Sequence, residues 1–448
     1  MRDAVVRGFG LCAAIAFLSA WWQLPSLVGP GGVVPTGLSV EWMHSLCGAG
    51  TFASVALTLG VLPGPSLVGI YGCYLAIRAG SWHFFQYQWD GLLLESAVVL
   101  MLIAPWRMWL HRGSEPSLLG VWAIRLLVIK LMWMAGIAKL ASGDATWASW
   151  TALHTHFQTQ PLPHGLSWRA HHLPPILLTL GAGFALVVEL VLPFAVFFRA
   201  GRVLFFVGTT LLMLLLSLTG TYGWFGLLTA VLAFSMLDDD LLEPLLQRPE
   251  QAILIQPSRV QTWAVGLAAA ALALLNLVVL GAWALGPWAP PSLRPAAQQI
   301  AAVGVANPYG LFSRMTTERI EIGIELTADG KTWHEVEFLY KPGDPSQRPR
   351  WPGAHLPRLD WHLWFTALRP CSGVSPCLAS CDDDAALAGV MEGLLDGSPQ
   401  VRRLLLRMPV RDPLAVRAVR WDYRFAPPGD GLTWRRTIKG LQCPVRTR

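Results

Sequence analysis

Long apolar stretches dominate the first two thirds of the chain. Nine of them approach the ~20 residues that an α-helix needs to cross the hydrocarbon core of a bilayer. The third and eighth are short, which leaves open re-entrant segments at those positions. The pattern predicts a multi-pass α-helical membrane bundle of about nine spans within residues 1–288. The predicted spans lie at about 8–24, 44–62, 66–79, 91–109, 118–140, 173–198, 202–218, 222–237 and 263–285.

The period of the pattern changes to two in the last third of the chain. RIEIGIELT (319–327) and TWHEVEFLY (332–340) alternate apolar and polar residues, and an Asp-Gly turn lies between them. This arrangement is typical of a β-hairpin. We therefore predict a small β-rich soluble domain over residues 289–448. Two further strands and one helix are predicted at 402–410, 415–425 and 382–397.

The distribution of charge supports this division. Charged residues are 14% of the chain, against about 25% in soluble proteins. Residues 1–288 hold 25 of them, and residues 289–448 hold 37. This composition excludes a cytosolic enzyme and a purely extracellular binding module. The net charge of +6 comes without a dense run of Lys or Arg, so we expect no nucleic-acid partner.

Basic residues favour one end of the predicted spans. Positive residues concentrate on the cytoplasmic ends of membrane helices. With the N-terminus inside, three basic residues fall on the outer side, namely Arg78, Arg169 and Lys139. Nine spans would then place residues 289–448 on the non-cytoplasmic side. Eight Arg residues fall on the inner side, namely Arg2, Arg7, Arg107, Arg112, Arg199, Arg202, Arg248 and Arg259.

The cysteines agree with an outer position of the soluble part. Four of the seven lie there, and an even set in an oxidising compartment indicates disulfides, with three possible pairings. Their spacing is not that of a zinc site, and we predict no metal and no cofactor. The other three cysteines lie in apolar stretches, as small buried residues do. The disulfide candidates are Cys371, Cys377, Cys381 and Cys443.

Ionisable residues within or beside apolar spans are the candidates for chemistry. Such residues are costly in a bilayer and are functional by default, although ion pairs between helices are the structural alternative, which we favour. The loop 141–172 adds Asp144 and five histidines, two of them in a His-x-His pair. Convergence of these groups on one cavity would favour an enzyme, and separate ion pairs would favour a scaffold. The catalytic candidates of the enzyme alternative are Asp90, Glu95, Lys130, Lys139, Asp144, His154 and His156.

Several long motifs resemble one family. NPYGLFSRMT (307–316), EFLYKPGDPSQRP (337–349) and HLPRLDWHLWFTAL (355–368) are similar to segments of the lipase maturation factor family. In the membrane part, FQYQWDGLLLE (85–95) and FALVVELVLPF (184–194) resemble that family too, as does the segment 137–174. The motifs occur in the expected order from about residue 80 to 425.

The resemblance implies a multi-pass membrane protein that helps secreted lipases, or other folding clients, to reach their active form. Animal members reside in the membrane of the endoplasmic reticulum, and their C-terminal domain is thought to face its lumen. The alternative function is an intramembrane enzyme with an acid/base site near segments 82–95 and 130–156. The client-facing candidates carried over from the motifs are Tyr309, Arg314, Tyr340, Lys341, Arg358, Asp360, Trp361 and Trp364.

The chain also departs from the animal pattern. It has short loops between its early spans, and only five of its 34 basic residues are Lys. This Arg-rich texture is typical of a bacterial chain, for which the inner membrane would be the location. The lipid bilayer and a folding client are therefore the expected partners, and the identity of the client stays open.

Overall fold

The computed structural model describes residues 1–110, 115–242, 258–369, 381 and 383–448. Helices make up most of the described residues of the first part. They are α1 (Arg2–Val28), α2 (Val40–Leu59), α3 (Pro63–Gly80), α4 (Gln88–Leu100), α5 (Leu118–Ala141), α6 (Ala145–Ala148), α7 (Ala152–Thr159), α8 (Gly165–His171), α9 (Pro175–Leu186), α10 (Leu192–Ala195), α11 (Arg199–Thr219), α12 (Phe225–Ala233), α13 (Asp239–Leu242), α14 (Arg259–Leu285) and α15 (Leu293–Ala302).

Helices of membrane-spanning length confirm an integral membrane protein. Among the described residues, five are long and apolar enough to cross a bilayer. The predicted span 91–109 differs, because its helix α4 has 13 residues and ends at Leu100. Pro105 follows, and the residue before a proline is disfavoured in helical conformation. The count of nine spans stays a prediction. The five long helices are Arg2–Val28, Leu118–Ala141, Pro175–Ala195, Arg199–Thr219 and Arg259–Trp288.

The helix that begins at Pro175 changes its winding before it ends. Residues Val187–Val191 form a π-helical turn between α9 and α10. Pro193 lies two residues after this turn. Because a proline has no backbone N–H, it cannot donate the helical hydrogen bond to the carbonyl of residue 189. Wide turns of this kind occur at functional sites, and this one contains the charged residue Glu189.

The C-terminal region, residues 289–448, contains the predicted sheet. Its main sheet is antiparallel with the strand order β2-β1-β5-β6, and β3 pairs with β4 separately. The strands at 319–327 and 415–425 are confirmed, and a helix lies within the predicted range 382–397. The hairpin is confirmed only next to its turn, where Glu325 lies opposite Glu335; residues 337–338, predicted to continue its second strand, pair with 405–407 instead. The strand predicted at 402–410 is only three residues long. The elements are β1 (Arg319–Thr327), β2 (His334–Glu335), β3 (Glu337–Phe338), α16 (Arg358–Ala367), α17 (Ala385–Leu395), α18 (Pro399–Arg402), β4 (Leu405–Arg407), β5 (Ala415–Phe425) and β6 (Trp434–Thr447).

Two elements of this region were not predicted. No secondary structure was predicted for segment 355–368, and the structure forms helix α16 within it. Strand β6 pairs with β5 along its length. The membrane helices and the sheet share one apolar core, which extends from Phe17 and Leu93 to Trp361 and Val416. The division at residue 289 therefore falls within a continuously packed molecule.

Candidate functional site at the junction

Buried charges join the membrane helices to the C-terminal region, and we call this contact the junction. Asp90, in the first turn of α4, receives two hydrogen bonds from the guanidinium of Arg358, at 2.7 and 3.0 Å. It also accepts one from the Tyr74 hydroxyl at 2.6 Å. Arg358 donates further to the carbonyl of Phe84 at 2.6 Å, and its guanidinium carbon lies 3.5 Å from the centroid of the Phe85 ring. The two charges therefore neutralise each other, and both terminal nitrogens of the guanidinium donate hydrogen bonds.

A second cluster surrounds Glu95, one turn further along α4. Its carboxylate forms an ion pair with Lys130 of α5. It also accepts hydrogen bonds from the Tyr309 hydroxyl at 2.7 Å and from the backbone N–H of Asn307 at 3.0 Å. Lys130 donates in addition to the side-chain oxygen of Asn276 on α14, at 2.6 Å. Three membrane helices and the C-terminal region therefore meet at one carboxylate.

A third pair lies at the π-helical turn. Lys139 Nζ is 2.8 Å from Glu189 Oε1 and donates a hydrogen bond to it. The ammonium also lies 3.4 Å from the carbonyl oxygen of Leu311. Arg125 is the remaining charge within a predicted span. It forms an ion pair with Asp238 at 2.8 Å, and neither residue belongs to the junction. Each of these four clusters therefore pairs an intramembrane charge with a partner on another element.

The polar loop 141–172 also contacts the C-terminal region. One Asp144 oxygen caps α6 by accepting from the backbone N–H groups of Thr146 and Trp147. The other accepts from the N–H of Met315 at 3.0 Å. Arg319, at the start of β1, donates to the carbonyl of Gln158 at 2.8 Å. Loop and sheet are thus held together by hydrogen bonds to backbone groups.

The two histidines of the His-x-His pair do not share a site. His154 Nε2 lies 3.2 Å from the hydroxyl of Thr179, and His156 Nε2 lies 3.2 Å from the hydroxyl of Tyr222. Burial lowers the pKa of His156 to about 4, and the nearby charge of Lys139 acts in the same direction. His156 is therefore neutral at physiological pH. Among the described residues, no three His, Cys, Asp or Glu side chains gather as a metal site would require.

An apolar cavity of about 310 Å³ lies beside the third pair. Its wall comes mainly from α5, α9, α11 and α12, and a few polar side chains interrupt it. The volume falls within the roughly 300–1,000 Å³ of small-molecule pockets, which are also mostly apolar. The cavity can hold a hydrocarbon group. The polar side chains that line it and carry the argument are Gln88, Lys139, His156, Glu189 and Tyr222.

The enzyme candidates divide among separate partners. Asp90, Glu95 with Lys130, Lys139, Asp144 and the two histidines each satisfy a different neighbour, as described above. Of the seven, only Lys139 and His156 line the apolar cavity. The geometry therefore favours a scaffold of ion pairs over one acid/base centre.

Six of the eight client-facing candidates are interior residues, which corrects their placement on a surface. Asp360, for example, accepts hydrogen bonds from the N–H groups of Tyr340 and Lys341, at 3.1 and 2.9 Å. Burial raises its pKa to about 6, and these hydrogen bonds oppose the shift. Arg314 is exposed and Tyr340 half-buried. The six buried residues are Tyr309, Lys341, Arg358, Asp360, Trp361 and Trp364.

Within the part of the C-terminal region that the structure describes, there is one disulfide. It joins Cys381 to Cys443, with 5.6 Å between their Cα atoms. Cys371 and Cys377 lie outside the described residues. Cys12, Cys47 and Cys73 are free thiols. The disulfide connects the segment before α17 to strand β6, at an edge of the main sheet.

Sequence reasoning missed Arg319 and Glu321, which form a buried ion pair. Both occupy the polar face of RIEIGIELT, which alternation assigns to solvent. The loop carbonyls of Gln158 and Pro161 cover that face instead, each receiving a hydrogen bond from Arg319 at 2.8 Å. Asn307 and Asn276 were missed for a related reason, since nothing local distinguishes an amide that serves a distant charge.

Comparison with known proteins finds two family profiles that match the chain. A profile described as the lipase maturation factor transmembrane domain matches residues 36–244. A second, described as the lipase maturation factor C-terminal domain, matches residues 305–444. No solved structure matches the chain.

Named relatives resemble nearly the whole chain. It is 28% identical to lipase maturation factor 2 of Homo sapiens, over 97% of this chain and 81% of the relative. It is 26% identical to lipase maturation factor 1 of Bos taurus, over 100% of this chain and 89% of the relative. These are vertebrate proteins and lend no support to a bacterial source. With both profiles matched in order on the two parts that the junction joins, the chain belongs to the lipase maturation factor family.

Proposed function

We propose that this protein is a membrane-anchored maturation factor that assists the folding of lipases. The observation that carries the proposal is the match of both family profiles, in order, to residues 36–244 and 305–444. The relatives are named for lipase maturation. The junction suits this role because it fixes the C-terminal region firmly to the membrane helices, as a platform for a client requires.

We further propose that the chain crosses the membrane nine times. Contacts at one end of the bundle support this count. The N-terminal ammonium lies 2.6 Å from Asp239, and Arg7 donates to the carbonyl of Thr58 at 2.9 Å. Leu110 donates to the carbonyl of Gly60 at 2.9 Å, so segment 88–110 runs from the junction to the opposite end although its helix is short.

Contacts at the other end support a common side for the loops and the C-terminal region. Gln23 donates to the carbonyl of Leu356 at 2.9 Å, Arg358 reaches Phe84, and Arg319 reaches Gln158. By the positive-inside rule this is the non-cytoplasmic side, because the Arg-rich ends lie opposite. In a eukaryotic cell it is the lumen of the endoplasmic reticulum, where the disulfide would form.

The test is complementation. Cells that lack their own lipase maturation factor would express a secreted dimeric lipase with or without this protein, and the activity per amount of secreted lipase would be compared. We expect restored specific activity at constant lipase messenger level. Equal specific activity with and without the protein, at normal expression in the membrane, would refute the proposal.

Two variants would test whether the exposed candidates contact the client. Arg314→Ala and Tyr340→Ala should lower the rescue without changing the amount of membrane protein. Lys331→Ala is a matched control, because it is an exposed residue at the hairpin turn. Equal rescue by all three variants would remove Arg314 and Tyr340 from the client surface.

A further inference from the structure

A buried arginine without a hydrogen-bond partner lies outside the junction. Arg78, in the last turn of α3, is only 4% exposed. Its Nε and Nη1 atoms are buried and make no hydrogen bond, and among the described residues no carboxylate lies within ion-pairing distance. An unpaired buried charge costs several kcal/mol, so this arrangement calls for an anion that completes it.

The nearest acids are already committed. Asp90 is saturated by Arg358 and Tyr74. Glu95 is saturated by Lys130, Asn307 and Tyr309. The guanidinium carbon of Arg78 lies 5.1 Å from the centroid of the Trp82 ring, and the negative end of the α3 dipole also favours its positive charge. Neither contact supplies an acceptor for its N–H groups.

Arg78 lines an open pocket of about 680 Å³. Amide side chains dominate its polar wall, and among the described residues that line it there is no carboxylate. A guanidinium together with amide donors binds phosphate groups through several hydrogen bonds. The chemistry of the pocket therefore selects an oxyanion. The amide residues are Gln86, Gln88, Gln298, Gln299 and Asn307.

The position of the pocket indicates where the phosphate comes from. It lies between the end of α3 and helix α15, which follows the last long apolar helix, α14. Trp82 and Trp288, near the ends of these helices, are 44% and 88% exposed. Exposed tryptophans mark the level of lipid headgroups. A phosphate at this level belongs to a lipid more readily than to the aqueous phase.

We propose that Arg78 binds a phosphate anion, and that the pocket takes a phospholipid headgroup at the membrane face that carries the C-terminal region. The guanidinium pairs with the phosphate oxygens, and the glutamine amides of the wall complete its hydrogen bonds, since the Asn307 amide already donates to Gly91, Glu95 and Gly304. This site is separate from the apolar cavity, which lies on the other side of Gln88.

Binding to the purified full-length protein tests the proposal. Native mass spectrometry in a neutral detergent would compare phosphatidic acid with diacylglycerol, which carries the same chains without phosphate. Thermal unfolding with added inorganic phosphate forms a second arm. We expect phosphatidic acid to bind the wild type and Arg78→Gln to bind it at least about tenfold more weakly, which is about 1.4 kcal/mol. Arg169→Gln, at an exposed arginine, should bind as the wild type does.

The outcomes separate the two sources of phosphate. Stabilisation by inorganic phosphate that Arg78→Gln abolishes would support the anion site with a free ion as its ligand. Loss of lipid binding alone would support the headgroup. Equal binding of phosphatidic acid and diacylglycerol, absence of binding to either probe, or unchanged binding by Arg78→Gln would overturn the proposal. Arg78→Met serves as a second uncharged variant if Arg78→Gln does not fold.

Discussion

Replacing Asp90 with Asn removes one negative charge from the junction and changes little else in its shape. Arg358 would keep its hydrogen bonds to Phe84 and Tyr74 but lose the carboxylate that it contacts at 2.7 and 3.0 Å. Both side chains are almost completely buried. Breaking one partner of a buried pair leaves an uncompensated charge, at a cost of about 3–5 kcal/mol.

The size of the thermal shift follows from the length of the chain. An unfolding entropy of roughly 2.1 cal/mol/K per residue gives about 0.9 kcal/mol/K over 448 residues. Asp90→Asn should therefore lower the unfolding midpoint by about 3–5 °C. Arg358→Gln should have an effect of similar size. The double variant should lose less than the sum of both, because no charge is then left unpaired.

Thermal unfolding of the purified protein in detergent, with the amount of folded protein in the membrane, would measure these effects. Arg435→Gln is the matched control, because it breaks an ion pair in which Arg435 is 61% exposed, and such pairs contribute about 0–1 kcal/mol. If Asp90→Asn kept its midpoint and its abundance while lipase rescue was lost, Asp90 would be a chemical group and not a structural one. That result would refute the scaffold interpretation.

Further predictions concern the rest of the molecule. The pKa of Asp360 is raised in the folded state, so its contribution to stability falls as pH rises from about 4 to about 6; Asp360→Asn should flatten this slope in thermal unfolding, and identical slopes would contradict it. Cys443→Ser should destabilise the C-terminal region by about 2–5 kcal/mol. Non-reducing peptide mapping should recover Cys381 linked to Cys443, and recovery of both as free thiols would contradict the disulfide. A reporter that is active only outside the cytoplasm should be active when fused after Arg448. Activity at the same position of a second reporter, one that works only in the cytoplasm, would rule out nine crossings. Asp144→Asn removes the carboxylate that caps α6 and accepts from the N–H of Met315, and His156→Ala removes a buried ring that contacts the Tyr222 hydroxyl. Each should lower yield or thermal stability, by about 1 kcal/mol per lost hydrogen bond; normal yield with lost rescue would argue for a functional pocket.

The sequence predicted the elements whose pattern is local. Alternation in 319–327 and 415–425 predicted strands, and these are β1 and β5, paired antiparallel along their length. Strand β6 was missed because it lies at the sheet edge, where polar residues on both faces conceal the period of two. Helix α16 was missed because Leu359, Trp361, Leu363 and Trp364 are buried on nearly all sides, which erases the period of a one-faced helix.

The candidate site was predictable only in part. The charges within the apolar stretches were identified one at a time, because each is unusual in its own surroundings. Their partners could not be identified in this way, because they lie far away in the sequence. Arg358 lies 268 residues from Asp90, and Asn307 lies 212 residues from Glu95. Which arginine pairs and which stays unpaired depends on tertiary packing, so Arg78 carried no signal beyond its position near a helix end.

The order in which the junction residues leave the ribosome sets a waiting time. Asp90 emerges 268 residues before the arginine that neutralises it. At about 5–20 residues per second, that interval is roughly 13–54 s, during which its carboxylate lacks its native partner. A chain truncated anywhere before Arg358 never leaves this state. We therefore expect its early helices to be recognised by the cell as unassembled and to be degraded, even though each helix by itself inserts normally.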